Sequence, residues 1–428
     1  MDTLDATKWR VRSIRTTIAN LSEGEFPYKA PLQALQILDE YFETEHQAFL
    51  SHLGEDSERA TVMRRCAEAI RDVSVCLPLL AFMLRATNVR NAFEIHAPLQ
   101  RIAKQLLGEQ TQLVLSSEWE YSPFTYTKID YLPDFVLIGF PAIESDNPLI
   151  LPLAGHELGH TLWGQLDLHS TYLTQIKGAI INKITTDWAK YSIYFPSLTK
   201  EQSYTDIVAY TTWSEAIEWA LRQVEEVFCD VVGLRIFGGA YLEAFSFLVA
   251  PRLGQERTAL YPSLRDRVEY MCSAAEKWSI EIPSKYRERF EFAPAISPDE
   301  AWRFRLELAD FACNEQVDSL IQKVLAVAHD KKIPMPQCDH SMHEKSDCDH
   351  LKNEIERIEN VVPIDRADSL SHIVNSAWNA IDNPNLWKNK VHITQRDRTL
   401  QDLILKSIEV FEIEQKKKQQ STSVGSRL

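Results

Sequence analysis

Five consecutive residues, His156-Glu157-Leu158-Gly159-His160, set two imidazoles and a carboxylate in H-E-x-x-H spacing. On an α-helix, residues four apart are separated by about 6 Å of rise and about 40° of rotation, so both imidazoles face one ion. Glu157 then stands beside that ion. Zinc with three protein ligands keeps a position open for water, lowers that water's pKa to about 7, and leaves a neighbouring carboxylate to take the proton. Downstream, Glu226 and Asp230 form an E-x-x-x-D pair on one helical face. Glu226 is expected to be the third ligand. Asp230, one turn later, is placed to accept the free ring N–H of a ligating histidine. Glu225, about 100° around the helix, is expected to point elsewhere.

Each segment has a plainer reading. The first is a helix with two surface histidines, the second an amphipathic helix with an acidic face. The first segment's neighbours argue against that: Leu149, Ile150, Leu151, Leu153, Leu158, Leu162 and Trp163 surround it, and ionisable groups inside an apolar helix need a metal and hydrogen bonds to satisfy them. Asp146 and Asn147 precede Pro148 as candidate caps, while Pro152 leaves the start of the helix open. Ser203 and Asp206 open the run that carries Glu226, and Gly233 with Gly238-Gly239 is expected to close it.

With both segments in place, the chain resembles the gluzincin metallopeptidases, zinc peptidases whose third ligand is a glutamate on a second helix. The long interval from His160 to Glu226 is similar to that of the CAAX prenyl endopeptidases and bacterial heat-shock membrane proteases. Tyr261-Pro262-Ser263-Leu264-Arg265-Asp266-Arg267-Val268 resembles their downstream H-P-x-L-x-x-R-[IV] signature, with tyrosine where the family has histidine. The resemblance implies that Tyr261 stabilises the oxyanion, since a phenol can donate to developing negative charge. A structural Tyr-Pro turn is the alternative. His169 is a second candidate for that role, and Arg267 is expected to pair with a carboxylate near the site, with substrate, or in a structural salt bridge. The resemblance further implies that Asp134–Phe140, apolar and bounded by prolines, is an edge strand along which an extended peptide lies. A plain core strand is the other reading.

The surroundings predict an α+β, mainly helical chain with a zincin-like core. Residues 1–110 carry helical periodicity, and between about 111 and 142 the pattern turns alternating and aromatic, which reads as a small sheet. Region 111–275 is expected to form the peptidase core, and 276–428 a second helical region ending in a polar, frayed tail from Gln415. Flanks this large leave room for a regulatory protein partner. Cys338, His340, His343, Cys348 and His350 fall within thirteen residues; a structural zinc and a solvated charged loop are both compatible with them.

Seven scattered cysteines do not look like a disulfide framework, and the polar N-terminus lacks the apolar core of a secretory signal, so a cytoplasmic location is expected. No apolar run approaches the roughly 20 residues that span a bilayer. This departs from the membrane family, and prenylated substrates do not follow. A net charge of −15 disfavours nucleic acid and anionic membranes. The expectation is a zinc-dependent endopeptidase acting on protein or peptide, with Glu157 as general base. Two alternatives stay open: a regulatory scaffold with a catalytically silent peptidase fold, and hydrolysis of a non-peptide amide or ester.

Overall fold

The apolar residues of the first hundred positions recur at helical spacing, and the chain there is helical: Thr3–Ser22, Ala30–Tyr41, a π-helical turn Phe42–Gln47, Arg59–Ala86 and Ala92–Leu107. The structure is a computed structural model that describes every residue except 1, 55–56, 127–128, 145–146, 251–256, 292–295, 298, 335–355, 366, 368, 382–391, 393–394 and 426–428, with backbone alone for 419–425. Asp146 and the Cys338, His340, His343, Cys348, His350 group therefore lie outside the described residues.

Two compact units make up the chain, one of residues 1–104 and 108–146, the other of 105–107 and 147–428. The division at 146/147 differs from the sequence boundaries at 110 and 275. In the first unit, three strands follow the helices: β1 (Gln112–Glu118), β2 (Phe124–Thr125) and β3 (Phe135–Pro141), in the order β1-β3-β2. β1 runs parallel to β3 from Gln112↔Phe135 to Glu118↔Pro141, and β2 pairs antiparallel at Ile138 and Gly139.

The edge-strand expectation for Asp134–Phe140 is corrected here: β3 is central, and every one of its residues is buried. A strand shielded on both faces reads as a continuous apolar run, which is why sequence could not distinguish it from an edge. The outer edge belongs to β1, and side chains fill it. Tyr28 donates to the Leu115 carbonyl at 2.9 Å and accepts from its N–H at 2.7 Å. Gln100 bonds to Thr111 O and Leu113 N, and the His96 ring lies 2.9 Å from Leu113 O. An edge whose main-chain groups are already partnered offers little to an added strand.

Asp72 is the polar centre of this unit, 2 % exposed, accepting from Tyr41 at 2.7 Å, lying 3.0 Å from His46 Nε2, and receiving Arg71 Nε at 3.1 Å. Burial opposes its ionisation, but hydrogen bonds from Tyr41, Tyr131, Arg71 and His46 outweigh that and hold its carboxyl below the ordinary range. With the folded pKa below the unfolded value of about 3.9, the stability it adds is complete above roughly pH 4 and is lost as pH falls through the folded value. Removing the acceptor leaves buried His46 and the half-buried Tyr41 hydroxyl unmatched, so Asp72→Ala is expected to cost about 3 kcal/mol. Hydrogen exchange confined to residues 2–146 would report that loss; unchanged protection would refute it.

The described elements of the second unit are all helices. Asn147 caps a 3-10 segment, Pro148–Leu153, by accepting from Leu149 N at 3.1 Å. That segment absorbs both prolines, and the α-helix proper begins at Ala154 and runs to Gln165. Leu168–Thr186 follows it. Asp206 caps Ile207–Trp213, and the long helix Glu215–Phe237 comes next. That helix ends where Gly238 takes φ 62°, a conformation glycine adopts without strain. Gly233 does not end it, contrary to expectation. The chain turns back as Gly239–Val249 and continues through Leu264–Lys277, Glu300–Asn314, Val317–Asp330, Leu370–Ile381 and Arg396–Gly425. The last of these carries helical backbone into the polar tail that reads as frayed. Among the described residues, no helix is long and apolar enough to cross a membrane.

Candidate metal centre

Two helices meet closely at small residues. A Cβ on Gly155 would lie 2.8 Å from the Gly233 Cα, and one on Gly159 would lie 2.8 Å from the Cys229 Cα. Small residues four apart on both helices, 155/159 and 229/233, thus let Ala154–Gln165 and Glu215–Phe237 touch at backbone distance. At that separation the carboxylates beside the seam reach the imidazoles directly.

Glu226, 3 % exposed, lies between the two rings: its Oε2 is 3.3 Å from His156 Nε2 and its Oε1 is 3.8 Å from His160 Nε2. The opposite ring nitrogens are held from behind. His156 Nδ1 is 2.9 Å from Asp230 Oδ1, and His160 Nδ1 is 2.8 Å from Glu225 Oε1. A carboxylate on Nδ1 fixes the tautomer and leaves the Nε2 lone pair facing outward. His156, His160, Glu226 and Asp230 are thus gathered as the sequence predicts.

Glu225 is the correction. An ideal helix turns it 100° from Glu226, yet the seam falls at Cys229, and Glu225, one turn before Cys229, lies on the seam's own side. The signal was present in the small residues Gly159 and Cys229. Glu225 is itself held by Arg222, which donates to Oε2 at 2.6 Å and approaches Glu226 at 3.7 Å.

Behind Asp230 stands a network that the sequence only partly shows. Arg267, from Leu264–Lys277, donates to both Asp230 oxygens at 2.7 Å, so the pairing is bidentate, and its guanidinium lies 3.7 Å from Glu226. Tyr241 donates to Asp230 Oδ1 at 2.8 Å, its ring lying against Gly233 where a Cβ would collide at 2.4 Å. The helix reversal at Gly238 brings it there. Burial disfavours a charged Asp230, but Arg267 and His156 overcome that and hold its carboxyl well below the usual range. For His156, burial works against protonation while Asp230 and Glu226 outweigh it, raising its pKa to about 10. Burial dominates at Glu157, 5 % exposed, and raises its pKa, the direction a general base requires.

Tyr261 is drawn to the same place. Its ring lies 5.6 Å from the Arg267 guanidinium, and the Glu226 charge, followed by burial, raises its phenol pKa. His169 is not drawn in. It is exposed on Leu168–Thr186 and makes no hydrogen bond or ion pair to the site among the described residues, because Asp167 at φ 47° starts a new helix there.

Two donor sets share the histidines. Cys229 also lies close, with one ligand atom from each of His156, His160 and Cys229 within 4.8 Å of one another, so this buried group can hold a metal ion. Glu226 approaches the same two rings. Burial pushes the Cys229 thiol up, and Glu226, Glu225, Asp230 and Glu157 push it further, whereas Glu226 is held ionised by His156 and Arg267 against its own burial. Four carboxylates and two guanidiniums meet here, and His156, its pKa raised to about 10, adds a third positive charge when no metal is bound. A metal ion that displaced that proton would meet the same carboxylates. Comparison of the chain with models of known protein families, with curated proteins and with solved structures gives no match.

Proposed function

We propose that this chain is a zinc-dependent peptidase of gluzincin type, with a zincin-like core in residues 147–277. One observation carries the reading: both Nε2 atoms face the Glu226 carboxylate while both Nδ1 atoms are held by Asp230 and Glu225. His156, His160 and Glu226 would hold the zinc, which supplies Lewis acidity and an acidified water.

The chain's own residues do the rest. Glu157, its pKa raised by burial, accepts a proton at its carboxylate as water attacks the peptide carbonyl, then returns that proton to the departing amine. The Tyr261 phenol donates to the oxygen on which negative charge develops. Asp230 and Glu225 keep the two rings aligned, and Arg267 keeps Asp230 ionised. Five described cysteines, 66, 76, 229, 272 and 313, are all free and buried, which suits a reducing compartment such as the cytoplasm.

Metal analysis tests the donor set. The purified chain is expected to carry one zinc at this site. Glu226→Ala should weaken it by at least a hundredfold, while Cys229→Ala retains it. The opposite pattern would assign the ion to the thiol and remove the glutamate from the centre.

A further inference from the structure

The hydroxyl of Tyr261 makes no hydrogen bond among the described residues, so its main chain must place it. That main chain is tied down unusually well. Gln223 is fully buried on Glu215–Phe237, one turn before Glu226, and its Nε2 donates to the Ala259 carbonyl at 2.9 Å and to Asp310 Oδ1 at 2.8 Å. Asp310, on Glu300–Asn314, also accepts from Arg257 at 2.6 Å. The same guanidinium donates to the carbonyls of Thr258 and Tyr261. Three backbone carbonyls within four residues, at 258, 259 and 261, are therefore pinned through two side chains to one carboxylate.

This arrangement has a cost. Gln223 Oε1 is buried with no partner, and Arg257 is only 8 % exposed with Asp310 as its counter-charge. An unsatisfied buried acceptor is destabilising, a cost that an ordinary surface turn does not warrant. Gln223 shares its helix with Glu226, so the pins set the loop relative to the carboxylate whose charge acts most strongly on the Tyr261 phenol.

We infer that Gln223, Arg257 and Asp310 are positioning residues for Tyr261, holding the loop so that its phenol faces the metal centre. The inference rests on the peptidase reading. A misplacement of about 1 Å can cost a hundredfold in rate, so small slackening of this loop should register as a loss of turnover.

A double-mutant cycle in the full-length chain tests it, using the best-cleaved member of a peptide library. Asp310→Ala is expected to lower kcat at least tenfold with KM changed less than twofold and zinc content intact. In the Tyr261→Phe background the same change should have little further effect, because residues acting through one group are not additive. Arg257→Lys should retain part of the activity that Arg257→Ala loses. Amide exchange at 258–261 should quicken in Asp310→Ala without a global change, and this readout needs no substrate. Unchanged exchange, or a cycle in which the two losses multiply, would overturn the positioning role. If exchange quickens but the wild type shows no Glu157-dependent cleavage, the peptidase reading fails and the clamp reduces to a structural brace.

Discussion

Glu157→Gln is expected to leave zinc content and folding intact while peptide cleavage falls roughly a thousandfold. The reasoning starts from where Glu157 sits. It is buried one position after His156 on the histidine helix and makes no ion pair with either imidazole among the described residues, so glutamine there leaves the contacts of His156, His160 and Glu226 in place. Glutamine keeps the volume and hydrogen-bonding reach of glutamate but cannot accept a proton at neutral pH. Only the proton transfer is lost. Mass-spectrometric profiling of a peptide library with wild type and variant, at equal zinc occupancy, is the measurement. Cleavage that persists undiminished in the variant would remove Glu157 from the chemistry. A wild type without any cleavage, yet fully loaded with zinc, would favour a scaffold.

The second large effect belongs to a residue with no chemistry of its own. Gly159→Val is expected to destabilise the unit of residues 147–428 by about 3 kcal/mol and to weaken zinc binding at least tenfold. Any side chain at 159 meets the Cys229 backbone, which cannot rotate aside as the tip of a flexible side chain could. The helices must separate, and the carboxylates at 225, 226 and 230 retreat from the rings together. Valine's loss of rotamer freedom in a helix adds a little. Thermal unfolding with and without added zinc reads both effects. A melting temperature equal to wild type would show that the seam tolerates a side chain.

Much of the centre was legible in the sequence because its spacing is helical arithmetic. His156 and His160, and Glu226 and Asp230, are each one turn apart, and only their meeting across two segments had to come from the fold. Tyr261 and Arg267 also reached the site. Glu225 was misread because an isolated helix has no preferred side until its contact line is known, and that line is set by Gly155, Gly159, Cys229 and Gly233. Tyr241 arrives through a chain reversal at Gly238, whose consequence for a residue three positions on cannot be read from periodicity. His169 failed as a candidate because being close in sequence to a ligand does not make it close in space once the helix stops at Gln165. For the sheet, a strand buried on both faces carries no pattern that separates centre from edge.

Asn375 has a bearing on how this protein can be dissected. From Leu370–Ile381 it accepts from Ala240 N at 2.8 Å and donates to the Phe237 carbonyl at 2.8 Å, bridging the two ends of the break at Gly238. Trp378, one turn on, donates to Leu149 O just ahead of the histidine helix. Residues almost 150 positions beyond Glu226 thus splint the joint from which Tyr241 hangs. A fragment trimmed after Lys277 would lose that splint together with Asp310, so a test of the proposed site needs the C-terminal polypeptide as well as the motifs.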